Sequence, residues 1–101
     1  MTSTRDEFDR ELRRVVDRLN SMPLNRAAAS QEAVMSCAEM LVSECRRAGV
    51  PIPASAVLPE LAPQGFGALI AVLGQDLQDA ADESDLTAGL NTLVTLRRAL
   101  P

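Results

Sequence analysis

From residue 4 onward, large apolar side chains return every three or four positions. Phe8, Leu12, Val15, Val16, Leu19 and Met22 fall on one stripe, which predicts an amphipathic helix over about 4–21. Thr4 followed by Glu7 reads as a capping box at its start. Asp6 with Arg10, and Asp9 with Arg13, stand four apart on the opposite face, where each ion pair contributes about 0.2–0.5 kcal/mol. Pro23 then interrupts, because proline lacks the amide donor and disfavours helical geometry in the residue before it. A turn over about 20–25 follows.

A second stripe, Ala27, Val34, Cys37, Ala38, Leu41, Cys45 and Ala48, predicts a helix over about 25–48. Gly49 ends it in the left-handed conformation, Pro51 prevents its resumption, and Arg46 and Arg47 suit the negative end of the helix dipole. Four of the six prolines lie in 49–63, which also carries Ile52, Val57, Leu58 and Leu61. So many aliphatics are out of place in a solvated linker, so this segment is expected to pack across the helices, with one helical turn between Pro53 and Leu58. A third helix over about 64–82 places Phe66, Leu69, Ile70, Leu73, Leu77, Ala80 and Ala81 on one face. Gly67, Ala71 and Gly74 lie beside that face and allow a neighbouring helix to approach closely. Ser84 is the expected cap of a fourth helix, over about 85–100, with Leu86, Leu90, Leu93, Leu96 and Leu100 inward and Arg97 and Arg98 at its end. The fold class predicted is all-α, a compact antiparallel four-helix bundle with a proline-rich connection between its second and third helices. At 101 residues this is one domain.

Composition narrows the chemistry. The chain has no His, Lys, Trp or Tyr, so the usual general base, Schiff-base amine and commonest metal ligand are missing. Only Phe8 and Phe66 are aromatic, which leaves the core to Leu, Val, Ala and Met. Cys37 and Cys45 stand eight residues apart in one predicted helix, a rise of about 12 Å, too far for a disulfide, which needs Cα atoms within about 7 Å. They are expected to be reduced, buried thiols. Without a His base they make poor nucleophiles, and without CxxC spacing they make poor zinc ligands. The acidic run Asp76, Asp79, Asp82, Glu83, Asp85 lacks the alternating loop that calcium requires, and PQGFG at 63–67 lacks the lysine and spacing of a phosphate loop. No enzyme activity, cofactor or metal is expected. No apolar run approaches the roughly 20 residues of a membrane span. The charged stretch from Met1 to Arg14 argues against an apolar export signal, which places the protein in the cytoplasm.

Charge is unevenly distributed. Residues 1–48 hold eight acids and eight arginines, whereas 49–101 hold six acids and two arginines, which accounts for the formal charge of -4. Nucleic-acid binding needs a positive face, and Asp6, Asp9, Glu11 and Asp17 are interleaved with the arginines of the first helix. The residues that remain for recognition are Arg10 and Arg14 on that helix and Ile52, Leu58 and Leu61 in the proline-rich segment. They suit a protein–protein interaction or self-association module, with a homodimer as one form. The alternatives are a small regulatory DNA-binding protein and a carrier of an apolar small ligand, the latter needing a chamber lined by Leu73, Leu77, Leu90 and Leu93.

The segments LNSMPLNR, LPELAPQGFGALIAVLGQDLQDA and LNTLVTLRRAL resemble those of small uncharacterised helical proteins of high-GC actinobacteria. Arginine as the sole basic residue and fifteen alanines agree with a high-GC genome. The resemblance spans most of the chain and implies a helical fold, with no activity or functional residue attached. A secreted helical-hairpin family of similar length, built on a central Trp-x-Gly turn, is contradicted by the absence of tryptophan.

Overall fold

In the computed structural model, residues 3–101 are described. The first helix, α1 (Thr4–Ser21), is capped one residue earlier than its sequence suggests. Ser3 is extended, and its hydroxyl accepts from the Asp6 amide at 3.1 Å, so Thr4 is the first helical residue and not the cap. Phe8, Leu12, Val15 and Leu19 are buried along one face. Pro23 ends the run, but the predicted turn contracts to Met22 and Pro23, because Leu24 already starts a new helix.

The single helix predicted over 25–48 is two helices, α2 (Leu24–Ala29) and α3 (Gln31–Arg47), so five helices occur among the described residues. Ser30 makes the break. Its hydroxyl donates to the Arg26 carbonyl at 2.9 Å, an oxygen that also accepts the Ser30 amide at 3.2 Å. The Ser30 amide is shared between that oxygen and Ala27 O at 3.0 Å, and Ser30 sits at φ −93°, ψ 2°, outside regular helix geometry. At the other end α3 closes as the sequence predicts. Gly49 takes φ +96°, its amide donates to Arg46 O at 3.1 Å, and the Val50 amide reaches back to Cys45 O at 3.0 Å, the paired bonds that satisfy the last carbonyls.

Two further helices complete the chain, α4 (Phe66–Ala80), entered through a 3-10 turn at Pro63–Gly65, and α5 (Glu83–Ala99). Asp82, and not Ser84, caps α5, accepting from the Asp85 amide at 2.9 Å. An ionised carboxylate at that position also faces the positive end of the helix dipole.

Helices α1 and α3 each pack on both α4 and α5, with no comparable contact between α1 and α3 themselves. Residue pairs fix the direction of each helix. Arg5, at the start of α1, donates to Gln78 O in the last turn of α4 and to Ala81 O just past it, while Asn20 lies against Gly67 at the α4 start, so these two run antiparallel. Phe8 meets Gly89, Glu11 meets Arg97 and Arg18 meets the Pro101 carbonyl, so α5 runs in the same sense as α1. Glu44, near the end of α3, meets Thr92 and Gly89 near the start of α5, which makes that pair antiparallel. It follows that α3 and α4 point the same way. An arrangement antiparallel throughout is therefore corrected, because the long 49–63 connection lets the chain return before α4 begins.

This connection is a strap laid along α3. Arg46 Nη2 donates to Pro53 O at 2.9 Å, and a single turn closes at Ala56 N to Pro53 O, 3.0 Å, without becoming a helix. Val50, Ile52 and Leu58 are half-buried against the core, in line with a packed segment, whereas Val57 and Leu61 are not. In α4 the predicted inward residue Ala80 is exposed, while Ala81 is buried. Among the described residues no helix is long and apolar enough to cross a membrane.

The core is aliphatic apart from Phe8 and Phe66, and helices meet closely where side chains are missing. A Cβ on Gly74 would stand 2.5 Å from Leu12 Cδ1. One on Gly89 would stand 2.6 Å from Leu77 Cδ2 and 2.8 Å from Phe8 Cε2. Alanine gains about 1 kcal/mol in helix propensity over glycine, yet overpacking a filled core costs about 1–3 kcal/mol, and Leu77 and Phe8 are fully buried. Gly89→Ala is therefore expected to lower stability by a net of about 1–2 kcal/mol, read from urea denaturation; an unchanged or higher midpoint contradicts the close approach.

Candidate interaction site

The residues with recognition potential divide between two surfaces. Arg10 and Arg14 are exposed on α1, around a shallow hollow of about 430 Å³ shared with Asp6, Asp9, Arg13 and Asp17. Arg13 pairs with Asp9 at 2.8 Å and Arg14 approaches Glu11 at 3.8 Å. The predicted Asp6–Arg10 pair does not form, since both ends are exposed and water competes on equal terms. Signs alternate across this face, so it presents no continuous positive strip to a phosphate backbone.

Ile52, Leu58 and Leu61 belong to the strap, on the far side of α3, and the structure does not bring them together with Arg10 or Arg14. Between strap and helix runs a groove of about 380 Å³. Its α3 wall is Met35, Glu39, Val42, Ser43 and Arg46, positions spaced at helical intervals, and its strap wall is Ala56, Val57 and Leu58. Leu58 is thus in the groove. Ile52 is half-buried beneath the strap and Leu61 lies beyond the groove, against Gly65. Val57 was not singled out by its sequence context, yet it is 88% exposed, more than any other large apolar side chain described. Among the described residues the amides of Val57, Leu58, Glu60, Leu61 and Ala62 have no protein acceptor, because a strap held by side chains leaves its own backbone unpaired.

Besides Ser30 at the helix break, three buried polar residues escaped the sequence reading: Glu11, Glu44 and Thr92. Each lies on an apolar stripe, Glu11 between Phe8 and Val15, Glu44 between Leu41 and Ala48, and that placement is the signal that could have found them. Glu11 is held by Arg97 Nε from α5. Glu44 Oε1 accepts from the Thr92 hydroxyl at 2.6 Å, while Oε2 has no partner. Burial pushes the Glu44 carboxyl above its ordinary value, against the smaller opposing effects of the Thr92 hydrogen bond and the Arg47 charge.

Both thiols are free and buried. Burial, reinforced by Glu44, pushes Cys37 up to about 12. Cys45 is pushed up to about 11 by burial and by Asp76 and Glu44. Neither is a thiolate near neutral pH, which removes the form that attacks electrophiles or binds metal. No group of three or more metal-ligating residues gathers among the described residues. Leu73, Leu77 and Leu93 are packed in the core, with Leu90 half-buried against it.

Two outcomes test the buried carboxylates. A folded-state pKa raised above the unfolded one means that the native protein binds the extra proton, so the Glu44 contribution is fully present below about pH 4.5 and is lost as pH rises through the raised value. Glu44→Gln keeps an acceptor for Thr92 and is expected to be more stable than the parent at pH 7–8, with the difference vanishing towards pH 4, in urea titrations at each pH. Arg97→Met strands Glu11 and is expected to cost about 1–3 kcal/mol, whereas adding Glu11→Leu restores most of the loss; equal losses in both variants contradict the pairing.

Compared with protein-family models, curated proteins and solved structures, the chain matches none.

Proposed function

We propose that the chain is a non-enzymatic interaction module of the cytoplasm, in which the four long helices form a four-helix bundle that holds the strap and its groove ready for another polypeptide. The observation that carries this reading is Val57, 88% exposed at the rim of a groove whose other wall carries Met35 and Val42. A large aliphatic in that setting gains about 1.5–3 kcal/mol when a partner covers it. The unpaired amides of Val57 and Leu58, on the strap wall of the groove, support the same reading, since free backbone donors can bond an incoming chain. Thiols held protonated, in a chain with no His or Lys, argue against a cysteine nucleophile served by an imidazole or amine base.

The test is a photo-reactive side chain introduced at position 57, with the exposed Glu32 of α3 as the control position. Irradiation in the native host is expected to give a discrete adduct from position 57 and none from position 32. Light scattering of the purified protein then tells a second copy, with a mass near twice 10.8 kDa, from a different partner. Equal adduct patterns from both positions, together with a monomer mass at every concentration, overturn the proposal.

A further inference from the structure

Glu44 is 4% exposed and stands where α3 faces α5. Its Oε2 has no hydrogen-bond partner among the described residues. That oxygen lies beside Gly89 of α5, where a Cβ would stand 3.2 Å from it, and Phe8 of α1 and Leu77 of α4 close on the same point. Among such neighbours an ionised oxygen is far more costly than a neutral carbonyl oxygen. The other oxygen points the same way. Oε1 is 2.6 Å from Thr92 Oγ1, which is in turn 3.1 Å from Ala88 O. A hydroxyl has one proton, so with Glu44 ionised it serves one of these two oxygens and leaves the other. A protonated Glu44 uses both contacts, donating to Thr92 Oγ1 while Thr92 donates to Ala88 O.

From this geometry we infer that Glu44 and Thr92 form a proton-operated latch between α3 and α5, closed while Glu44 holds its proton and released when the proton leaves, so that the seam parts beside Cys37. Loss of the proton turns the Thr92 hydroxyl to Oε1, takes a bond from Ala88 O and strands a charge in the seam. The surrounding charges set the direction of movement. Asp85 repels the ionised carboxylate from α5, and Arg47 attracts it from its own helix. Cys37 and Cys45, also on α3, stay protonated, the α4 acid Asp76 bears on Cys45, and α1 and α4 present Phe8 and Leu77 to Glu44 around Gly89. Separation of α3 from α5 therefore relieves both the repulsion and the lost solvation. The seam already carries a crevice of about 190 Å³, lined by Cys37 and Met40 of α3 and by Thr92, Thr95 and Leu96 of α5. None of these residues lines the strap groove, so the latch does not depend on what the strap binds.

The test reads the seam through its thiol. The full-length protein is treated with a soluble disulfide reagent from about pH 5 to 9, and cleavage after Glu39 separates Cys37 from Cys45, so that mass spectrometry gives the initial rate of each. Any opening lets the rate rise about tenfold per pH unit, because the thiolate is the reacting form. An opening that also requires loss of the Glu44 proton adds a second factor, so Cys37 should gain about a hundredfold per unit until Glu44 titrates and about tenfold beyond. Carbon-13 shifts of the Glu44 carboxyl locate that titration independently, and the two points should coincide. Glu44→Gln, with its fold checked by circular dichroism, should abolish the steep segment and slow Cys37. Local parting exposes little surface, so low urea should barely accelerate Cys37, whereas Cys45, bonded to Leu73 O on the α4 side, should accelerate as whole-protein unfolding does. Equal urea sensitivity of the two thiols reports global unfolding and overturns the inference. A steep segment that persists in Glu44→Gln, or a Glu44 carboxyl that titrates at its ordinary value near 4.5, overturns it as well.

Discussion

Helices α3 and α4 point the same way, and that constraint shapes everything between them. A chain leaving the end of α3 must travel back the length of the helix, about 25 Å for 17 residues, before α4 can start. The fifteen residues of 48–62 cover that distance with slack at about 3.1 Å per residue in an extended, proline-compatible conformation. Prolines 51, 53 and 59 keep the path from coiling up, and Arg46 ties it down at Pro53. The same extension leaves backbone amides unpaired and opens the groove against α3. Candidate site and connectivity thus have one cause.

Much of this was legible from local pattern. Gly49 with Pro51 placed the end of α3, and the leucines of α5 placed its inner face, because glycine conformation and helical periodicity act within a few residues. The break at Ser30 was hidden by an apolar stripe that runs on through it; it is marked only in the backbone, where the Ser30 amide is shared between Arg26 O and Ala27 O. Both cap assignments slipped by one or two residues because Ser3 and Thr4, or Asp82 and Ser84, offer equivalent oxygens. The course of the strap and the exposure of Val57 depend on helix direction, which no local signal encodes. Glu11 and Glu44 were visible as charges on apolar faces, but their partners lie 86 and 48 residues away.

With only two aromatic side chains, the interior depends on closeness instead of bulk. At Gly67, Gly74 and Gly89 the side chains of Asn20, Leu12, Leu77 and Phe8 fill the space a Cβ would take. Such an interior has little tolerance for added volume. It also holds the two thiols and the Glu44 carboxylate away from water.

The absence of extensive contact between α1 and α3 also bears on how the protein comes to be folded. Synthesis delivers these two helices first, and neither offers the other an apolar surface to rest on. Their hydrophobic stripes remain unmatched until residues 66–99 emerge and slide between them, with Arg5 and Arg18 closing the assembly at either end of α1. The last third of the chain thus supplies the surface that buries the stripes of both earlier helices.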